Sequence, residues 1–159
     1  MIVYFLRHGL AEDRETWKEA DALRPLTDKG KMQMGLTAEM ISALVPDLDA
    51  IITSPLVRAK QTALIVAKKL DMEESLIEEA RLSPGFGPEE LVEIIKERSG
   101  AEGLILVGHE PDFSLVVSQL IGGGRLVFKK GGLARVDLYA LDPPQGELVW
   151  LIPPKVLIR

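Results

Sequence analysis

The chain has 159 residues, 47% hydrophobic and 27% charged, with a net charge of −5 and a pI near 5.1. That balance fits one globular domain over residues 1–159 and excludes disorder. The acidic surplus speaks against nucleic-acid binding, which requires a basic face. With no cysteine present, disulfides, thiolate metal sites and cysteine nucleophiles are excluded together.

Ile2 to Leu6 is an apolar run without polar alternation, which reads as a strand buried on both faces. It ends in Arg7-His8-Gly9, so a cation and an imidazole stand where the strand surfaces. The glycine beside them permits a sharp turn or the close approach of a ligand. The run is too short for a signal peptide or a membrane span, and no other stretch approaches membrane length. A cytoplasmic protein without membrane association is expected.

Glu12 to Asp21 is polar, either a solvated loop or a short exposed helix, with Trp17 as its anchor to the body. Thr27 or Asp28 is a helix N-cap candidate, and Met32, Met34, Leu36, Met40, Ile41 and Leu44 mark an apolar helical stripe to about Val45, stopped by Pro46. Asp49 to Thr53 is a second buried strand. It ends in Ser54-Pro55, and a helix follows from Leu56 to about Leu70. A short strand is placed around Leu76-Ile77, and Ser83 to Pro88 is a loop by composition. Pro88 suits the first turn of a helix that runs to about Arg98.

Gly103 to Val107 is the third buried strand. It leads into Gly108-His109-Glu110-Pro111-Asp112 and a helix to Gly122. Leu133 to Leu141 and Glu147 to Ile152 read as an antiparallel hairpin joined by a longer loop, Asp142 to Gly146. The order β-α-β-α-(β)-α-β-α-β-β predicts an α/β fold, a three-layer α/β/α sandwich with a mostly parallel central sheet and an antiparallel edge.

Ligands in such sheets bind outside the carboxyl ends of the strands. Both histidines of the chain, His8 and His109, follow central strands there, each beside a glycine. Arg58 falls in the first turn of a helix opening at the same edge. Two arginines, two imidazoles and helix N-termini in one crevice suit a phosphoryl dianion, because guanidinium forks match its oxygens. Ser54 lacks the glycine-flanked elbow of a serine hydrolase and reads as a turn or cap residue.

Arg7-His8-Gly9, Ser54 to Ala63 and Gly108-His109-Glu110-Pro111 together resemble, in order, the three motifs of the histidine phosphatase (phosphoglycerate mutase-like) superfamily. Arg7 to Ala11, Arg24 to Gly30 and the small size look most like its SixA-type phosphohistidine phosphatases. The resemblance implies a phosphoglycerate mutase-like fold with His8 as nucleophile, forming a phosphohistidine intermediate. It implies Arg7, Arg58 and His109 as holders of the phosphoryl oxygens, with Gly9 and Arg24 completing the substrate site. No cofactor and no metal are expected. The implied substrate is a phosphohistidine-bearing protein, such as a histidine phosphotransfer domain or phosphocarrier protein.

Two departures bear on substrate. Where mutases and many small-molecule phosphatases of that superfamily carry threonine and asparagine after the nucleophile, this chain has Ala11 and Arg14. Where they carry a glutamate general acid, it has Arg81, with Glu78 and Glu79 just upstream; Glu12 and Glu110 are the other acid candidates. A phosphoramidate relaxes that need, because its leaving imidazole can already hold a proton, whereas an alcohol needs a placed acid. A small phosphomonoester substrate, or a module that only binds a phospho-ligand, are the alternatives. Arg125, Lys129 and Lys130 form either a basic rim for an acidic partner or a solvated loop.

Overall fold

The computed structural model of the chain describes residues 1–45 and 47–157. Six strands form one sheet: β1 (Ile2–Arg7), β2 (Ala50–Thr53), β3 (Leu76–Glu78), β4 (Gly103–Gly108), β5 (Leu133–Leu141) and β6 (Pro144–Ile152). Their spatial order is β3-β2-β4-β1-β5-β6. The first four run parallel, while β5 pairs antiparallel with β1, and β6 antiparallel with β5. Among the described residues four α-helices cover it: α1 (Asp28–Leu44), α2 (Val57–Lys69), α3 (Pro88–Lys96) and α4 (Asp112–Leu120).

Period-two alternation along the strands divides the core in two. Val3, Phe5, Ile52, Leu104 and Leu106 face one way, against Leu91 and Ile94 of α3 and Phe113, Val116 and Val117 of α4. Tyr4, Leu6, Ile51, Ile105 and Val107 face the other, against Met34, Ala38 and Ile41 of α1 and Ala59, Ala63 and Val66 of α2. Helices on both faces explain the uninterrupted apolar runs, and each such side chain contributes about 1.5–3 kcal/mol by leaving water. This is the expected α/β/α sandwich with its antiparallel edge.

Several details differ from expectation. On α1 the buried positions are Gly30, Met34, Thr37, Ala38 and Ile41, while Met32, Leu36 and Leu44 are exposed. Small residues let α1 lie close: a Cβ on Gly30 would stand 2.1 Å from the Leu10 carbonyl oxygen. Thr27 is the N-cap, its hydroxyl accepting from Gly30 N at 2.9 Å. Pro46, the expected helix stop, lies outside the described residues. The hairpin is tighter than expected, because β6 starts at Pro144 and pairs with Leu141, leaving only Asp142 and Pro143 between strands. Residues 12–20 form a loop. Trp17 is only half-buried and donates to Ala20 O within that same loop, so it is no core anchor.

Candidate active site

The parallel strands β1, β2 and β4 end side by side, and their next residues carry the functional groups. Arg7 stands opposite Gly108 in the β1–β4 ladder, and His8 N donates to Gly108 O at 3.1 Å. A Cβ on Gly108 would meet the Phe113 ring at 2.6 Å, so glycine there lets α4 pack tightly over the strand end. His109, between that strand and α4, is fixed in turn by Phe113 N donating to its carbonyl at 3.1 Å. The two imidazoles are buried, with ring centroids 5.3 Å apart.

The hydrogen bonds of each ring settle its proton. His8 Nδ1 lies 2.8 Å from Gly9 O, and a carbonyl only accepts. Nδ1 therefore donates, and neutral His8 presents its lone pair at Nε2. Gly9 is held by its own amide, which donates to Thr62 Oγ1 at 3.1 Å, while that hydroxyl donates to Arg58 O at 2.8 Å. One buried threonine thus locks the Arg7-His8-Gly9 turn to α2. Burial pushes the His8 pKa down to about 3; the Gly9 carbonyl opposes the shift, and His109, Arg58 and Arg7 add to it. Burial, reinforced by Arg58, lowers His109 to about 4. Both rings are neutral near pH 7.

His109 Nε2 lies 2.7 Å from Ser54 Oγ, and Ser54 Oγ also accepts from Leu56 N at 3.3 Å. Ser54 is thus a turn residue, one of the two readings expected, and in addition a partner of His109; the N-cap of α2 is Leu56. Its hydroxyl has no other acceptor among the described residues, so its proton points to Nε2 and leaves Nδ1–H as the free donor of His109.

Arg58 is buried in the first turn of α2. It donates from Nη1 to Asp21 O at 2.9 Å and from Nη2 to Asp21 Oδ2 at 3.0 Å. Buried Arg24 donates from Nε to Asp21 Oδ1 at 3.0 Å and from Nη1 to Glu12 O at 2.8 Å. One carboxylate therefore aligns two guanidiniums. Partial burial pushes its pKa up, but the hydrogen bonds from Arg24 and the charge of Arg58 outweigh that and hold it below the usual range. Sequence reasoning missed Asp21 because it sits in a stretch without periodicity, 37 residues from Arg58; its place three residues before a buried arginine was the available signal. Arg7 donates from Nη1 to Phe128 O at 2.8 Å.

After these bonds, three buried side-chain nitrogens have no partner among the described residues: Arg7 Nε, Arg58 Nε and His109 Nδ1. All three side chains act electrostatically on His8. Buried donors of this kind are normally met by a protein group, an ordered water or a ligand.

Three of the four candidate acids make other bonds. Glu79 accepts from Arg81 at both oxygens, and those bonds hold it at about pKa 2. Glu78 pairs with Lys60 at 3.1 Å, and Glu110 accepts from Ser114 N at 2.7 Å in the first turn of α4. Glu12 is exposed and enters the site only through its carbonyl. No group of three or more His, Cys, Asp or Glu side chains among the described residues is placed to hold a metal ion. Among those residues, too, no helix is long and apolar enough to cross a membrane.

Comparison with known proteins extends this picture. The family described as Histidine phosphatase superfamily (branch 1) matches residues 3–84. An uncharacterized protein of Picosynechococcus sp. is 32% identical over 175 residues, 96% of this chain and 100% of that one. Phosphohistidine phosphatase SixA of Escherichia coli is 27% identical over 158 residues, 97% of this chain and 94% of that one. A solved structure of the protein histidine phosphatase SixA complexed with tungstate shares the fold, with TM-score 0.87 at 24% identity over 99% of each chain.

Proposed function

The chain belongs to the histidine phosphatase superfamily, and from that premise we propose that it removes the phosphoryl group from phosphohistidine on a partner protein, through a covalent intermediate on His8. Membership and the SixA likeness support phosphatase activity. The carrying observation is the set of three unmatched buried donors around an imidazole whose free lone pair is at Nε2.

His8 Nε2 attacks phosphorus in line, forming a P–N bond as the P–N bond to the substrate imidazole breaks. Arg7 Nε, Arg58 Nε and His109 Nδ1–H stabilise the equatorial oxygens, where charge is spread in the transition state. Water then attacks the phosphorylated His8, the P–Nε2 bond breaks, and inorganic phosphate leaves; one water is consumed overall. Guanidiniums offset the phosphoryl charge, so the reaction runs without a metal. Gly9 orients the nucleophile through its carbonyl, and Arg24 keeps Asp21 and Arg58 in place at the pocket margin. Residues 1–159 act as one catalytic domain in the cytoplasm.

Glu79, ionised at neutral pH and clamped by Arg81, is no proton donor, Glu78 pairs with Lys60, and Glu110 is bonded at Oε1 to the Ser114 amide. That favours a phosphoramidate leaving group, which departs already protonated, over an alcohol. A histidine phosphotransfer domain or a phosphocarrier protein presents such a group. The test is kcat/KM on a histidine-phosphorylated protein against a panel of sugar phosphates, with and without chelator. The protein should be preferred by at least about a hundredfold, with activity lost in His8→Ala. Preference for a sugar phosphate would replace this reading with a small-molecule phosphatase.

A further inference from the structure

Beside the phosphoryl pocket, and sharing Arg7 with it, runs a groove of about 840 Å³ between residues 127–130 and 151–155. Its walls include the apolar Val127 and Pro154, and Lys129, Lys130 and Lys155 stand along it; no carboxylate lines it. Val127 is 70% exposed, so the apolar wall is open to a visitor. No ion pair joins any of the three lysines to a carboxylate among the described residues. Arg125 does not line the groove; Lys155, from the turn after β6, stands there with Lys129 and Lys130.

We infer that this groove docks an acidic helical face lying next to the phosphohistidine of the partner protein, an inference that rests on the protein-phosphatase reading above. Charge selects that occupant. The chain as a whole carries −5, yet screening confines the charges an approaching surface feels to those within about 8 Å at physiological salt. There it meets three lysines and Arg7. The apolar wall between cations suits a helix face with carboxylates flanking an apolar residue, whereas a free phosphate needs neither the wall nor the volume.

The groove is also fixed to the chemistry. Gly131 N donates to Arg7 O at 3.1 Å and to His8 O at 3.0 Å, and Arg7 N donates to Gly132 O at 3.0 Å. Phe128, between Val127 and Lys129, is buried in the core against Phe113. A partner seated on Lys129 and Lys130 therefore rests on a segment stitched to the nucleophile's own strand end. Its phosphohistidine is set in register with His8 rather than tethered loosely beside it.

The test compares wild type with the triple variant Lys129→Glu, Lys130→Glu, Lys155→Glu on two donors: phosphoramidate, and an acidic histidine phosphotransfer domain phosphorylated with it. Circular dichroism confirms that the exposed substitutions leave the fold intact. We expect kcat/KM on the phosphorylated domain to fall by roughly tenfold to a hundredfold, and its steep decline with salt to flatten. Turnover of phosphoramidate should stay within about twofold. Equal loss on both donors, or no loss on the domain, overturns the docking site. A variant that differs from wild type only in self-association makes the groove an interface between copies, and also overturns it. If wild type hydrolyses neither donor, the phosphatase reading fails separately. Docking is then judged by calorimetric binding of the domain to wild type and variant, where equal affinity refutes it.

Discussion

Two of the arginine–carboxylate groupings among the described residues differ in stoichiometry. Arg81 is saturated: it donates from Nε and Nη2 to both oxygens of Glu79 and from Nη1 and Nη2 to both oxygens of Glu97, with Glu93 at 3.4 Å. Around Asp21 the ratio is reversed, one carboxylate serving Arg24 and Arg58. Arg81 has no capacity left for a ligand and acts as a clamp between the Glu79 turn and the end of α3. Arg58 is aimed by Asp21 but keeps its buried Nε unmatched. A guanidinium is thus a binding group or a brace according to how many carboxylates share it.

The sharpest way to break this contrast is Arg58→Lys. A lysine keeps the charge but loses the planar fork, so it cannot hold Asp21 and a phosphoryl oxygen at once. Turnover should drop roughly a hundredfold to a thousandfold in steady-state assays with little change in Tm. Asp21→Asn keeps one acceptor and removes the charge that aligns both arginines. We expect kcat/KM to fall roughly tenfold while His8 phosphorylation still occurs, because misplacement rather than loss of the donors is at issue. At the other cluster, Arg81→Gln should leave kcat/KM within about twofold and lower Tm modestly. A large catalytic loss there would make Arg81 part of the site.

Titration gives a further test. The two imidazoles have depressed pKa values, about 3 for His8 and about 4 for His109. Below pH 6.5 the unfolded chain takes up protons that the folded chain refuses. Stability therefore falls as pH drops from 6.5 toward 4, by up to about 1.4 kcal/mol per pH unit for each ring. Chemical denaturation across that range should show the slope in wild type and a halved slope in His8→Ala. His8 itself stays neutral throughout, so the acid limb of activity should lie below pH 5.

Much of this arrangement was legible in the sequence, for physical reasons. Strands buried on both faces have to be apolar throughout, so β1, β2 and β4 stood out, and whatever followed them lay at one edge; His8, His109 and Arg58 were found that way. α1 was read less well because its packing face uses Gly30, Thr37 and Ala38, and close approach to the Leu10 backbone and to α2 favours small residues over the methionine and leucine that turned outward. Asp21 and Lys155 were invisible for another reason. Each is brought beside residues distant in the chain, and neither lies in an element whose period points there. Ser54 was read as a turn or cap residue, while its bond to His109 depends on the side-by-side ends of β2 and β4, which only the assembled sheet supplies.

The central claim is that His8 Nε2 accepts the phosphoryl group. Mixing the protein with phosphoramidate, quenching in alkali within milliseconds and mapping the label by mass spectrometry, with phosphorus NMR to assign the ring nitrogen, tests it directly. Label on His8 at Nε2 that water discharges in the presence of chelator is the expected result. Label at Nδ1 or on His109, or sustained hydrolysis with no phosphorylated histidine at any time, would contradict it.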